Sequence, residues 1–133
     1  VVRYLPVVVS AAWTLFMLWG TLSPLNQLPP LPEWELLSFD TAAHVGIFVV
    51  TAVLYVSTAR WQRLFPSLRH RAFLCTLVVC LLLGAGIELA QTLMALGRLG
   101  EWTDLISDGL GAVAGLGLMR LTQRWWDLGR MPA

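Results

Sequence analysis

From Leu5 to Leu22 the chain runs without a single ionisable side chain, and Thr41–Thr58 and Ala72–Leu96 repeat the pattern with isolated exceptions. A hydrocarbon layer about 30 Å thick takes roughly 20 helical residues to cross. A soluble domain can hide one such helix, but several of them demand a charged exterior to cover them. This chain has none to offer: charged residues make up 13% of its 133, against about a quarter in soluble domains, while apolar residues reach 57%. That excludes intrinsic disorder and a soluble enzyme of ordinary type. The net charge of +1 also withholds the basic excess that nucleic-acid binding requires, so no nucleic-acid partner is expected. What remains is an all-α, polytopic membrane protein.

The expected spans are Leu5–Leu22, Thr41–Thr58, Ala72–Leu96 and Asp104–Leu121. The first is longer than the apolar part of a signal peptide and no small-x-small cleavage site follows, so it is expected to remain. Pro6 falls in its first turn, where a missing N–H costs little. The fourth has only a short uncharged part, Gly109–Met119. Four spans in a single domain over residues 1–133 is the expected count, with three as the alternative.

Orientation follows from arginine, because loops rich in Lys and Arg stay cytoplasmic. Arg60, Arg63, Arg69 and Arg71 lie between spans two and three, Arg3 precedes span one, and Arg120, Arg124 and Arg130 end the chain. Eight of the nine arginines therefore share a side if both termini are cytoplasmic, and Arg98 alone lies outside. His70 belongs to the inner basic loop, which favours anionic lipid. The complete absence of lysine reads as a GC-rich coding bias, and the expected location is a bacterial inner membrane.

Prolines 24, 29, 30 and 32 should stiffen the first outer connection, after which Leu31, Trp34, Leu36, Leu37 and Phe39 suit an interfacial segment. Trp19, Trp34, Trp61, Trp102, Trp125 and Trp126 fall where an aromatic belt belongs, whereas Trp13 is placed for packing. Cys75 and Cys80 lie about 140° apart on one helix and read as buried free thiols.

Polar residues at membrane depth are costly and usually have a task. Here Asp40 and His44 share a face of span two, Glu88 and Gln91 a face of span three, and Asp104 and Asp108 a face of span four that continues through Gly111 and Gly115. Arg98 and Glu101 sit in the hairpin between spans three and four. Three helices thus direct polar groups to one place near the outer surface. Below it, Ile47–Val56 holds no ionisable group but Tyr55, and Gly109–Met119 holds none. A transporter or proton channel needs polar stations along its whole path, so a pocket closed at its inner end is the expectation.

The run Asp40-x-x-x-His44-x-x-x-Phe48, then Glu88-x-x-Gln91, then Gly97-Arg98 and Glu101, then Asp104-x-x-x-Asp108-Gly109 with Gly111 and Gly115 resembles the VanZ-like family. These are small bacterial membrane proteins whose founding member is associated with resistance to the glycopeptide teicoplanin. The resemblance implies a role in the cell envelope or in glycopeptide tolerance. Two positions differ from the family's usual pattern: Thr41 stands where a lysine commonly follows the first aspartate, and Asp108 where asparagine is usual.

Three classes of function accommodate these residues. In a catalytic pocket, Asp40, His44, Glu88, Asp104 and Asp108 are the candidate acids and bases, and Gln91, Arg98 and Glu101 the candidate substrate contacts, with Arg98 suited to an anionic headgroup. In a binding pocket the same residues hold an envelope lipid, a lipid-linked glycan or a lipoglycopeptide without chemistry. In a structural role they fasten the bundle or a partner subunit, or an oligomer of this chain. Asp40 is then a helix cap, Glu88 pairs with Arg98, Gln91 bonds a neighbouring helix, and the Gly111–Gly115 face is packing. One histidine among several carboxylates also has the donors for a divalent cation, although the spacing is no recognised metal motif and the cofactor stays unknown.

Overall fold

The computed structural model describes residues 4–24, 27, 38–62, 64–94 and 101–127, with backbone alone at 126 and 127. Among these residues the regular structure is helical throughout. There are four long helices, α1 (Leu5–Leu22), α2 (Phe39–Trp61), α4 (Ala72–Met94) and α5 (Trp102–Leu121), and two of five residues, α3 (Pro66–His70) between α2 and α4 and α6 (Gln123–Asp127) after α5. The helix α1 has the expected bounds, while α2 and α5 each begin two residues before the expected start. Its first turn places Phe39 in α2 itself, and Leu31, Trp34, Leu36 and Leu37 lie outside the described residues.

Three of these helices, α1, α2 and α4, are long and apolar enough to cross a membrane. The fourth, α5, is 20 residues long, about 30 Å at 1.5 Å per residue. It is less apolar, because Asp104, Asp108 and Arg120 lie within it.

Cross-helix contacts define the order of the bundle. Ser10 meets Thr58, Thr14 meets Tyr55 and Met17 meets Thr51, so α1 and α2 are antiparallel. Gly111 lies on Val45 and Gly115 on Val49, so α5 runs parallel to α2. Gly84 faces Asp108 and Phe73 lies under the Arg120 guanidinium, so α4 opposes α5.

Each long helix buries one stripe: Ser10, Met17 and Thr21 on α1, His44 through Ala59 on α2, Ala72 through Gln91 on α4, Asp104 through Met119 on α5. Met17, Phe48, Ala52, Cys80, Ile87 and Ala112 form the shared core. Large apolar side chains such as Leu15, Leu82, Leu93 and Leu110 point outward, the pattern of helices solvated by lipid. Trp19, Trp61, Trp102 and Trp125 are exposed towards helix ends, while Trp13 packs inward with its indole N–H donating to Thr51 Oγ1 at 2.9 Å.

Between apolar helices in lipid, association depends on close packing and interhelical hydrogen bonds, since burial itself gains little. Both devices are present. Among the described residues the α2–α5 contact is the most extensive. A Cβ at Gly111 would collide with the Val45 carbonyl oxygen, and one at Gly115 would lie 2.6 Å from that of Val49. The α1–α2 contact is a seam of hydroxyls: Ser10 with Thr58 at 2.7 Å, Thr14 with Tyr55 at 2.7 Å, and Thr58 donating to the Pro6 carbonyl at 3.0 Å.

The connection after α2 is more ordered than a basic loop requires. The Gln62 side chain donates to the Ala59 and Phe65 carbonyls and accepts from the Phe65 N–H, closing a turn that Pro66 then opens as α3.

Gly111→Ala should lower stability by about 1–3 kcal/mol through overpacking against α2. Gly117→Ala, where an added Cβ meets nothing within 4 Å, should be neutral or slightly stabilising. Thermal unfolding of the purified proteins in one detergent compares them, and equal melting temperatures for Gly111→Ala and its parent would contradict the close α2–α5 approach.

Candidate functional site

The start of α2 is capped by Ser38, whose hydroxyl oxygen accepts the Thr41 N–H at 3.1 Å. Asp40 is therefore a first-turn residue and not the cap, a correction to the structural reading of the sequence. Asp104 occupies the first turn of α5, which begins after Glu101. Because α2 and α5 are parallel, their N-termini lie at the same end of the bundle. The positive ends of both helix dipoles favour negative charge there.

One turn deeper, His44 on α2 meets Asp108 on α5. The imidazole Nδ1 lies 2.8 Å from Asp108 Oδ1, a hydrogen bond between the ring and the carboxyl group. The other ring nitrogen, Nε2, lies 3.9 Å from Asp104 Oδ2. Asp108 and His44 are 1% and 3% exposed, so this pair is shut off from the surroundings. Register explains the meeting: Gly111 and Gly115 bring the α5 backbone onto α2, and Asp108 is one turn above Gly111.

The helix α4 completes the cluster. Glu88 accepts the Glu101 backbone N–H on Oε2 at 2.8 Å, tying the end of α4 to the start of α5. Its other oxygen, Oε1, is buried without a partner among the described residues, and so is Asp108 Oδ2. One turn before Glu88 stands Gly84, where a Cβ would sit 2.8 Å from Asp108 Oδ2. Glycine here leaves the space that the carboxylate occupies. Donor atoms of His44, Glu88 and Asp108 lie within 4.8 Å of one another, and the same holds for Asp40, His44 and Asp104.

The five candidate acids and bases therefore converge. The candidate substrate contacts fare differently. Gln91 is buried and donates from Nε2 to the Thr21 carbonyl at 2.8 Å, satisfying one of the carbonyls left open at the end of α1. Glu101 is exposed, contributes its backbone N–H to Glu88, and accepts the Thr103 hydroxyl on its own carboxylate at 3.1 Å. Arg98 lies outside the described residues, and with it the expected Glu88–Arg98 pair. Gly84 escaped the sequence reading. Its signal is the Gly84-x-x-x-Glu88 spacing, which puts a residue without a side chain on the face that carries the glutamate.

Below the cluster, Phe48, Ala52, Cys80 and Ala112 are fully buried and apolar. The opposite end of the bundle has a recess of its own, a cleft of about 370 Å³ between Val7, Ser10, Thr14, Tyr55, Leu68 and Cys75. It lies roughly 17 Å along α2 from His44. Neither histidine nor carboxylate is among its lining residues.

An all-helical bundle with apolar outer faces and an acidic cluster at one end defines a membrane protein with a buried polar site. The model of the VanZ/LLP1 family matches residues 6–123, and the chain belongs to that family. Comparison with curated proteins and with solved structures found no match.

His44→Ala and Asp108→Ala should each cost about 1–3 kcal/mol, since each leaves a buried polar partner unpaired. The double variant should cost less than the sum, by about 0.5–3 kcal/mol of coupling. A thermodynamic cycle by reversible unfolding in mixed micelles measures it, and strict additivity would show that the two side chains do not interact.

Proposed function

We propose that the cluster faces the non-cytoplasmic side of a bacterial inner membrane and holds the headgroup of an envelope lipid, a lipid-linked glycan or a lipoglycopeptide, contributing to teicoplanin tolerance. In this reading α5 is a fourth span and both termini are cytoplasmic. The arginine distribution supports that orientation, because the positive loops then lie inside.

The observation that carries the reading is the pair of buried oxygens, Glu88 Oε1 and Asp108 Oδ2, that have no partner among the described residues at the end of a membrane bundle. Buried polar groups are normally satisfied, and those left open in a native site are available to a ligand. The apolar floor under His44 supports a pocket entered from one side. Membership of the VanZ/LLP1 family supports the link to the cell envelope.

The His44–Asp108 hydrogen bond favours a second reading, in which the site hydrolyses a headgroup ester. A carboxylate that fixes an imidazole tautomer prepares the other ring nitrogen to take a proton from water as it attacks. The leaving alcohol then receives a proton from one of the neighbouring carboxyls.

Glu88→Gln and His44→Gln should reduce the teicoplanin concentration that stops growth to that of cells lacking the protein, with membrane levels unchanged. Unaltered tolerance in both would remove the reading. Comparing lipid headgroups by mass spectrometry with and without the protein separates binding from hydrolysis, since an unchanged profile speaks against chemistry.

Orientation has its own check. In a chain carrying Cys75→Ser and Cys80→Ala, Glu101→Cys should react with an impermeant maleimide added to intact spheroplasts, and Leu64→Cys should not.

A further inference from the structure

We infer that His44, Glu88 and Asp108 bind a divalent transition-metal ion, with Asp104 holding the histidine in place behind it. Donor atoms of the three residues lie within 4.8 Å of one another. Two donors on one ion at 2.0–2.2 Å are separated by roughly 3–4.4 Å, so a small contraction closes the set. The residues come from three helices, α2, α4 and α5, and turning their side chains inward shortens the separations.

An independent observation points into the same space. Asp108 is 1% exposed, yet its Oδ2 has no hydrogen-bond partner among the described residues, and Glu88 Oε1 is in the same condition. Two carboxylate oxygens buried without partners beside an imidazole are a costly arrangement unless something binds them. A cation satisfies both at once. It also offsets the repulsion among four carboxyl groups, Asp40, Glu88, Asp104 and Asp108, gathered around one histidine.

The surrounding contacts match what metal ligands need. Histidine ligands usually donate their second ring N–H to a carboxylate, and ligating carboxylates are themselves hydrogen-bonded. Here Asp104 Oδ2 lies 3.9 Å from Nε2, within reach of a bond once Nδ1 turns from Asp108 to the ion. The Glu101 N–H already holds Glu88 Oε2, leaving Oε1 free to ligate. One nitrogen and two carboxylate oxygens suit Zn²⁺ or Mn²⁺ better than Ca²⁺ or Mg²⁺, which prefer all-oxygen sites. Three protein ligands leave a position open, and an anionic headgroup oxygen or a water has the chemistry to fill it. The inference rests on the headgroup reading only for what fills that open position.

The test uses the full-length protein in detergent, stripped with a chelator and titrated with Mn²⁺ alone, free ion being read by electron paramagnetic resonance. One equivalent should bind per chain, and binding should raise the melting temperature. Glu88→Gln and Asp108→Asn should each weaken binding at least tenfold, whereas Glu101→Gln, which keeps the backbone N–H, should change it less than threefold. Zn²⁺ should displace the Mn²⁺. Should Asp108→Asn fail to fold, Glu88→Gln, at the more open edge of the site, carries the same comparison. Absence of stoichiometric binding, or parental affinity in Glu88→Gln, would overturn the metal site. Stoichiometric binding in a protein whose Glu88→Gln variant keeps full tolerance would instead overturn the headgroup reading and leave the metal site standing.

Discussion

The backbone contact between α2 and α5 sets the position of everything else. Two glycines one turn apart, Gly111 and Gly115, let the α5 backbone approach the Val45 and Val49 carbonyls more closely than any side chain would permit. Once the helices are parallel and in that register, Asp108 has to lie beside His44 and Asp104 has to lie above it. The N-termini of both helices then point the same way, giving the first-turn carboxylates a favourable field. Packing and electrostatics are therefore two consequences of one steric fact.

The bundle carries polar groups at both ends, and the two sets differ in a telling way. Along the α1–α2 seam, Ser10, Thr14, Thr58 and Tyr55 satisfy one another or a backbone carbonyl. Such bonds fasten helices in a medium that supplies little hydrophobic drive, and nothing is left over. In the cluster around His44, by contrast, two buried carboxylate oxygens have no partner among the described residues. The first set is complete in itself, whereas the second has two acceptors to spare among the described residues. Gln91 falls on the first side of that line, since its bond to Thr21 fastens α4 to α1.

How much could be read in advance depended on whether the signal was local. The first helix was legible to the residue, because Leu5–Leu22 is bounded by a change in composition. The face shared by Asp104, Asp108, Gly111 and Gly115 was legible too, since helical spacing alone places them together. The Ser38 cap was missed in favour of Asp40: both are good capping residues, and the choice depends on where the chain leaves its extended conformation. Short helices such as α3 leave almost no periodic trace. Among the described residues Glu88 accepts the backbone N–H of Glu101, a contact that the sequence does not announce. Backbone donors are present at nearly every residue, so no sequence pattern marks the one that is used.

The amino-acid sequence by itself determined that this is a helical membrane chain with Asp40, His44, Glu88, Asp104 and Asp108 near a common end, because long uncharged runs and 3.6-residue spacing are properties of single segments. Only the tertiary structure decided which carboxylate the imidazole meets, which oxygens stay unpaired, and that Gly84 makes room for Asp108. Those outcomes depend on ångström-scale distances between helices distant in the chain, and such distances are set by how the buried stripes interlock.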